Sequence, residues 1–210
     1  MMGMLTFFIL SSAWGAWRKP WRRVDPYPKM GSFFTTFYDV PNESDYSKDQ
    51  TAQIKNMQGE VIASVNASFK KDLDVEGTGI LRSGTTVNYA GRVDDEIRYR
   101  VSSAKWGWGV GQCALKPYHT IAVDPNIIPL GSLVYIPAIK GAVLPDGTVH
   151  DGFFYADDIG SRILHRHVDL FAQEGENSYQ IYEKVGINTG TYVDIYKVKD
   201  PDPQGCPSKP

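Results

Sequence analysis

Short β-type runs separated by turn residues make up most of this chain. Residues 32–38 are aromatic and rich in threonine, which predicts the first core strand. Residues 97–101 alternate apolar and basic positions, and residues 191–198 have the composition of a last strand. The intervals between these runs are rich in Gly, Pro, Asn and Asp, which favour tight turns and loops. The pattern therefore predicts a mainly β protein.

Two stretches have a helical pattern instead. Residues 66–73 place apolar side chains at helical spacing behind Asn66, a residue that caps helices well. Asn177 and Gln180 have the spacing of a capping box, which predicts a short helix through Val185 that ends at Gly186. Many short strands, one or two short helices and glycine-rich loops together predict a small β barrel.

Candidate chemistry is concentrated in residues 120–171, where three β-rich runs each end in or carry an aspartate beside a Gly or Pro turn. These residues are Asp124, Asp158 and Asp169, and a fold that gathers the strand ends would gather the carboxylates. Two carboxylates brought together raise each other's pKa, which makes one of them a useful proton donor. Asp158 and Asp169 are the favoured pair. Asp157 is not part of it, because successive strand residues point to opposite faces.

Each of these residues also has a purely structural interpretation. Asp158 could cap the loop that follows it, and Asp169 could be a solvated strand residue. Asp124 precedes a proline and could bond the amides of a turn. His165 and His167 could ligate a metal, but no Cys or carboxylate cluster completes a recognisable set, so no metal is predicted.

Two tryptophans and two cysteines also have more than one interpretation. Trp106 and Trp108 could form a platform on which sugar rings stack, or could simply pack within the protein. Cys113 and Cys206 are compatible with one disulfide in an oxidising compartment and equally with two free thiols.

Composition and length narrow the class of protein. The 210 residues include 22 basic and 24 acidic side chains, so no field that would attract nucleic acid is expected. We expect a single domain over residues 31–199, a basic aromatic lead-in at 17–30 and a proline-rich tail at 200–210. Residues 1–16 have the apolar run and the small residues of a signal peptide, and the run is too short to span a bilayer. We therefore expect an exported protein without a transmembrane span. We also expect it to be a monomer.

Three segments resemble a known family. Residues 122–137, 156–160 and 168–171 resemble the three-aspartate (3D) domain, the barrel shared with the MltA-type lytic transglycosylases. More weakly, residues 36–38 are similar to the Thr-x-Tyr strand that opens the family's domain. The resemblance implies a six-stranded double-psi β barrel, related to the domains of expansins and family 45 endoglucanases.

The resemblance also implies a reaction and a site. Asp124, Asp158 and Asp169 correspond to the three aspartates, and the eleven-residue step to Asp169 selects Asp158 over Asp157. The implied reaction is cleavage of the MurNAc-GlcNAc β-1,4 bond of peptidoglycan with a 1,6-anhydro product, in the periplasm or cell envelope and without a cofactor. Asp169 would be the single acid/base. The residues expected to bind the glycan strand are Tyr38, Trp106, Trp108 and Arg162.

One loop departs from the family pattern. Residues 159–165 replace the family's Thr-Gly-Gly-Ala-Ile-Lys-Gly, so the backbone must follow a different path, and Arg162 or Arg166 could replace the lost lysine. Two other functions therefore stay open. One is a non-catalytic glycan-binding or wall-loosening module of the expansin type, and the other is a hydrolytic glycosidase that uses Asp158 and Asp169.

Overall fold

The computed structural model describes residues 26–201 and residue 206. Strands dominate this part of the chain, as predicted, and two short helices accompany them. In chain order the strands are β1 (Lys29–Val40), β2 (Ala52–Lys55), β3 (Val61–Val65), β4 (Thr78–Ile80), β5 (Thr86–Val93), β6 (Glu96–Val101), β7 (Thr120–Val123), β8 (Leu133–Tyr135), β9 (Phe153–Asp158), β10 (His167–Glu174) and β11 (Tyr192–Lys199). The helices are α1 (Ala67–Glu76) and α2 (Gln180–Glu183). Neither of these two helices is long and apolar enough to cross a membrane. The predicted signal peptide lies outside the described residues.

Six of the strands form a closed barrel in the order β1, β10, β7, β9, β8, β11. Two of its pairs, β1 with β10 and β7 with β9, are parallel, and the other four pairs are antiparallel. Closure leaves no unpaired sheet edge in the barrel. One strand of each parallel pair carries an aspartate that the sequence singles out, Asp169 on β10 and Asp158 on β9, and Asp124 directly follows β7.

The main apolar core takes alternate residues from every barrel strand, as the two-residue period of a strand requires. The strand residues in this core are Phe33, Ile121, Val123, Val134, Phe154, Ala156, Val168, Leu170, Ala172, Val193 and Ile195. The intervening residues of β1, β7 and β10 therefore lie on the outer face of the barrel. Thr36, Ala122 and Asp169 are among them.

Residues 41–118 form a long insertion between β1 and β7, and it has an apolar core of its own. Two small antiparallel sheets, β2-β3 and β4-β5-β6, pack with α1. Asn66 caps α1 as predicted, because its side chain accepts hydrogen bonds from the amides of Ser68 and Phe69. The buried residues of this second core are Ile54, Val65, Phe69, Leu73, Leu81, Val87 and Tyr99.

The predicted capping box at residue 177 is wrong in its detail. A 3-10 turn (Glu176–Tyr179) precedes α2, and no side chain caps either segment. The Asn177 side chain accepts instead from the Gln180 side chain at 3.4 Å. The helix also ends at Glu183, a little before the predicted end.

A third apolar cluster joins the insertion to the outer face of the barrel. Its members are Tyr38, Val40, Ile80, Leu115, Ala122, Ile163 and Phe171, with Trp106 packed against them. A disulfide between Cys113 and Cys206 links the end of the insertion to the tail. This junction is where the polar residues of the candidate site are found.

Candidate active site

A row of four residues crosses the outer face of the barrel. Thr36 of β1 is paired with Asp169 of β10, Asp169 with Ala122 of β7, and Ala122 with Asp158 of β9. Residues paired in neighbouring strands point to the same side of a sheet. Asp158 and Asp169 therefore face the same side, separated by the small side chain of Ala122.

A bulge in β9 turns Asp158 to this face. The register between β7 and β9 shifts, because Thr120 is paired with Tyr155 but Ala122 with Asp158. Between these two pairs β9 has three residue steps whereas β7 has two. Ala156 therefore faces the main core, but Asp158, two residues later, faces the site rather than the core. Bulges of this kind often re-aim side chains beside active sites. Asp157 is buried, and its Oδ1 has no partner among the described residues.

Asp169 is a partly buried acid with one oxygen held and one left open. The Thr36 hydroxyl donates to Oδ1 of Asp169 at 2.6 Å, and no described residue donates to Oδ2. Burial raises the pKa of Asp169 to about 6, against the opposing effect of the Thr36 hydrogen bond. This carboxyl is therefore available both as an acid and as a base near neutral pH.

Asp158 is held at both oxygens. The Ile159 amide donates to Oδ1 at 2.9 Å, and the Tyr38 hydroxyl donates to Oδ2 at 3.0 Å. Burial raises the pKa of Asp158 to about 7, and the nearby Asp169 carboxylate contributes in the same direction. Ionised Asp169 thus opposes the ionisation of Asp158, as expected when two carboxyls lie near each other.

Asp124 has a different environment. Its Oδ2 accepts from the His165 amide at 2.7 Å, and its Oδ1 accepts from the amide and side chain of Asn126. The hydrogen bond from His165, followed by that from Asn126, lowers the pKa of Asp124. His165 has a φ of 60°, an unusual value for a residue other than glycine. Asp124 therefore anchors the altered loop 159–166 at its far end.

A groove of about 560 Å³ lies between the barrel and the insertion, with Asp158 in its wall. On the barrel side the wall continues through residues 159–161. The insertion contributes apolar, aromatic and basic side chains, among them Val75, Tyr89, Arg92, Arg100, Trp108 and Leu115. Gly109 is also in this wall, and a Cβ there would lie 2.2 Å from the Asp157 carbonyl oxygen. Glycine thus allows the 106–111 loop to pack directly on β9.

A second cavity of about 970 Å³ adjoins the groove, and Val75 and Glu76 line both. Its other charged lining residues are acidic: Asp39, Asp45, Asp72 and Glu174. Burial raises the pKa of Glu76 to about 8, with further contributions from Asp39, Asp169 and Asp72. The carboxyl of Glu76 is therefore protonated at neutral pH and lies within electrostatic range of Asp169.

One cluster outside the groove has metal-ligating side chains, namely His119, His150 and Asp151. Both ring nitrogens of His150 are already engaged, since Nδ1 accepts from the Gly152 amide at 2.8 Å and Nε2 donates to the Tyr118 carbonyl. A metal would have to displace these bonds, so the cluster is better explained as packing.

The 80-residue segment from 119 to 198 matches the family model described as the 3D domain. It spans β7 to β11 and includes all three aspartates. The chain contains a 3D domain. The remaining barrel strand, β1, precedes the matched segment and contributes Thr36 and Tyr38 to the same site.

The fold of about four fifths of the chain is similar to that of solved lytic transglycosylases. E. coli MltA with bound chitohexaose matches with a TM-score of 0.59 at 14% identity, over 82% of this chain and 73% of the other. A membrane-bound lytic murein transglycosylase from Agrobacterium tumefaciens matches with a TM-score of 0.57 at 13% identity, over 80% and 74% of the two chains. No curated protein sequence matches this chain. The likeness covers the inserted region as well as the 3D domain, and at this identity it concerns the fold.

The other residues expected to bind the glycan lie in different places. Trp108 lines the groove beside the 3D domain, whereas Trp106 packs against the junction cluster and lines a separate cavity. Tyr38 is buried and contacts Asp158 rather than open solvent. Arg162 is exposed on the altered loop.

Arg166 does not replace the lost basic residue in the groove. Its guanidinium donates to the Met30 carbonyl at 3.0 Å and lies over the Phe33 ring at 5.5 Å. Gly31 allows this approach, because a Cβ there would be 1.8 Å from the Arg166 side chain.

Several groove residues were not found from the sequence. Tyr89, Arg92 and Arg100 belong to β5 and β6, which only tertiary packing brings opposite Asp158. The alternation of residues 97–101 did indicate a strand with Arg98 and Arg100 on one side. It gave no sign of what that side would face.

Proposed function

We propose that this protein is a peptidoglycan lytic transglycosylase in which Asp169 is the single acid/base. The observation that carries the proposal is the position of Asp169. Its carboxyl, with a pKa of about 6, lies on the same face as Asp158 with β7 between them, and Asp158 lines the groove. Support comes from the fold shared with E. coli MltA, which was solved with bound chitohexaose, and with the A. tumefaciens lytic murein transglycosylase.

In this mechanism protonated Asp169 gives its proton to the oxygen that links MurNAc to GlcNAc, and the bond from that oxygen to the anomeric carbon breaks. The C6 hydroxyl of MurNAc then attacks the anomeric carbon. Its proton returns to the Asp169 carboxylate, and a 1,6-anhydro ring closes without any water being consumed. The open Oδ2 of Asp169 is the oxygen suited to both transfers.

Asp158 has a supporting part in the same proposal. Its ionised form would stabilise the positive charge that develops at the anomeric carbon, and Tyr38 would hold it in place. Trp108 and Tyr89 offer aromatic faces to sugar rings along the groove. Trp106 and Arg162 keep the roles that the family resemblance implies only if substrate binding rearranges their surroundings.

The proposal extends to topology and location. We assign the barrel to the double-psi type, which is supported by its two parallel strand pairs within an otherwise antiparallel order. Export is supported by the disulfide between Cys113 and Cys206, because disulfides persist in oxidising compartments.

The test is a digest of purified sacculi, with the soluble products identified by mass spectrometry. Wild-type protein should release 1,6-anhydro-muropeptides, and Asp169→Asn should release none while keeping its circular dichroism spectrum and melting temperature. Reducing-end products from the wild type would indicate a hydrolase instead, and no product at all would reject the proposal.

One observation favours a second candidate, a non-catalytic glycan-binding module. Arg166 is turned away from the groove, so the altered loop brings in no evident substitute for the family's lysine. This candidate predicts that wild type and Asp169→Asn pellet equally well with sacculi and that neither releases products.

A further inference from the structure

We propose that Thr36 and His167 form a hydrogen-bonded relay that holds Oδ1 of Asp169 as an acceptor and couples the protonation of the His167 ring to the charge of Asp169. The inference deepens the proposed function, because it assigns two positioning residues to the acid/base. The first observation is the geometry of three side chains on one face of two parallel strands.

Thr36 bridges the other two side chains. Its Oγ1 lies 2.6 Å from Oδ1 of Asp169 and 2.9 Å from Nε2 of His167. The pairing of β1 with β10 explains this placement, since Thr36 is opposite Asp169 and His167 is two residues before it on the same face. The ring of Phe34 packs edge-on against His167 at 5.0 Å and restricts its rotation.

The single hydrogen of the Thr36 hydroxyl allows two arrangements only. When Asp169 is a carboxylate it can only accept, so Thr36 donates to Asp169 and Nε2 of His167 must carry a hydrogen that it donates to Thr36. When the proton of Asp169 is on Oδ2, the oxygen proposed to act on the substrate, Oδ1 still accepts from Thr36 and this arrangement is kept. Only a proton on Oδ1 would reverse it, with Thr36 then donating to a bare Nε2. The acceptor role of Oδ1 and the hydrogen on Nε2 of His167 are therefore tied together through Thr36.

This arrangement has a consequence for the acid/base. With Oδ1 committed to Thr36, the oxygen left to act on a substrate is Oδ2. The donated hydrogen bond and a protonated His167 both favour the carboxylate form and oppose the burial that raises the pKa of Asp169. Burial also lowers the pKa of His167, while a hydrogen bond to the Arg162 carbonyl raises it.

The other titratable groups near Asp169 come from every element packed around it. They are Asp158 of β9, Tyr38 of β1, Glu76 of α1 and Tyr182 of α2. All four are neutral when protonated, so among the groups facing Asp169 His167 is the one that can carry a positive charge. It is also connected to the altered loop through Arg162, which lies seven residues before Asp169.

Histidine NMR tests the relay without any assay of activity. The pKa of His167 is read from the pH dependence of its ring nitrogen shifts. In Asp169→Asn this pKa should fall by roughly one unit, because the protonated ring loses its anionic partner. An unchanged pKa in folded Asp169→Asn would overturn the proposal.

Thr36→Val removes the bridge and keeps the shape of the side chain. In that background, Asp169→Asn should move the pKa of His167 by less than about 0.3 unit, as expected for two sites whose coupling has been removed. Thr36→Ser keeps the hydroxyl and should restore the full shift of the His167 pKa. It is also the variant to measure if Thr36→Val does not fold. His165→Asn, an exposed neighbour replaced by a residue that tolerates positive φ, should leave the His167 pKa unchanged.

Activity provides a second readout. His167→Gln can still donate to Thr36 but cannot be charged, so the pKa of Asp169 should rise and the fall of kcat with pH should shift to higher pH, with KM little changed. An unshifted pH profile would count against the relay. If wild type releases no anhydro products, the proposed function fails while the NMR result still decides whether the relay exists.

Discussion

The aspartates at the two ends of the altered loop lie in different environments. At its start, Asp158 and the nearby Asp169 are enclosed with few donors, and burial raises the pKa of each, to about 7 and about 6. At its far end, Asp124 accepts from two backbone amides and one side chain, and its pKa is lowered. The three residues are close in the fold and are chemically identical side chains.

The difference teaches that hydrogen-bond donors decide the role. Backbone amides that point at a carboxylate stabilise its charge and make it a structural anchor, whereas burial with a neighbouring carboxylate keeps a proton available. On this basis Asp124 is the anchor, and Asp158 and Asp169 are the pair proposed for catalysis. The loop 159–166 joins the two environments, so its altered sequence bears on both.

The largest expected effect separates Asp169 from Asp124 by activity. Asp169→Asn removes the proton that the leaving oxygen needs, so release of anhydro-muropeptides should fall by roughly 100-fold or more. Asp124→Asn should keep most of the activity, because it touches no group in the groove. Initial rates on sacculi at pH 5.5 measure both variants. Equal losses would show that Asp124 takes part in the chemistry and would remove the distinction.

The second effect concerns stability at the anchor. Asp124→Asn loses one acceptor oxygen, so an amide of the 165 or 126 turn is left unpaired and the free energy of unfolding at pH 7 should be lower than that of wild type. A lowered pKa means that the stabilisation is present above pH 4 and disappears as the pH falls through the folded-state pKa. Urea unfolding of wild type and variant between pH 2.5 and pH 7 should therefore give curves that converge at low pH.

Hydrogen exchange localises this effect. The His165 amide should exchange faster in Asp124→Asn than in wild type, while the Ile159 amide, which is bound to Asp158, should be unchanged. Equal protection of His165 in both proteins would mean that Asp124 does not hold the loop.

The sequence predicted that Asp158 and Asp169 come together, but it did not predict their surroundings. The eleven-residue step selected Asp158, and the carboxylates of Asp158 and Asp169 do lie on one face. The stated reason was incomplete, because simple alternation does not turn Asp158 to that face and a bulge in β9 is needed. A bulge depends on the register between strands that are distant in sequence, so no local pattern reveals it.

The insertion shows a second limit. The helix at residues 67–76 was predicted because its cap and its apolar spacing are local features. The groove wall was not, because Tyr89 and Arg100 face Asp158 only after the second core forms and packs against the barrel. The His167 side chain was likewise judged as a metal ligand or a solvated residue, since its partner Thr36 is 131 residues away.

The smallest effect concerns Asp158, whose contribution to the free energy of unfolding should change with pH in the direction opposite to that of Asp124. The raised pKa of Asp158 means that the folded protein holds a proton that the unfolded chain loses near pH 4, so this group destabilises the fold as the pH rises from about 4 to about 7. Asp158→Asn cannot ionise and still accepts from the Ile159 amide. It should match wild type at about pH 4 and be the more stable of the two at pH 8. Thermal and urea unfolding from pH 2.5 to pH 8 measure this difference beside that of Asp124→Asn, whose deficit should be complete above pH 4 and should shrink as the pH falls below 4. If the two variants changed with pH in the same direction, burial and hydrogen bonding would not divide the three aspartates as argued.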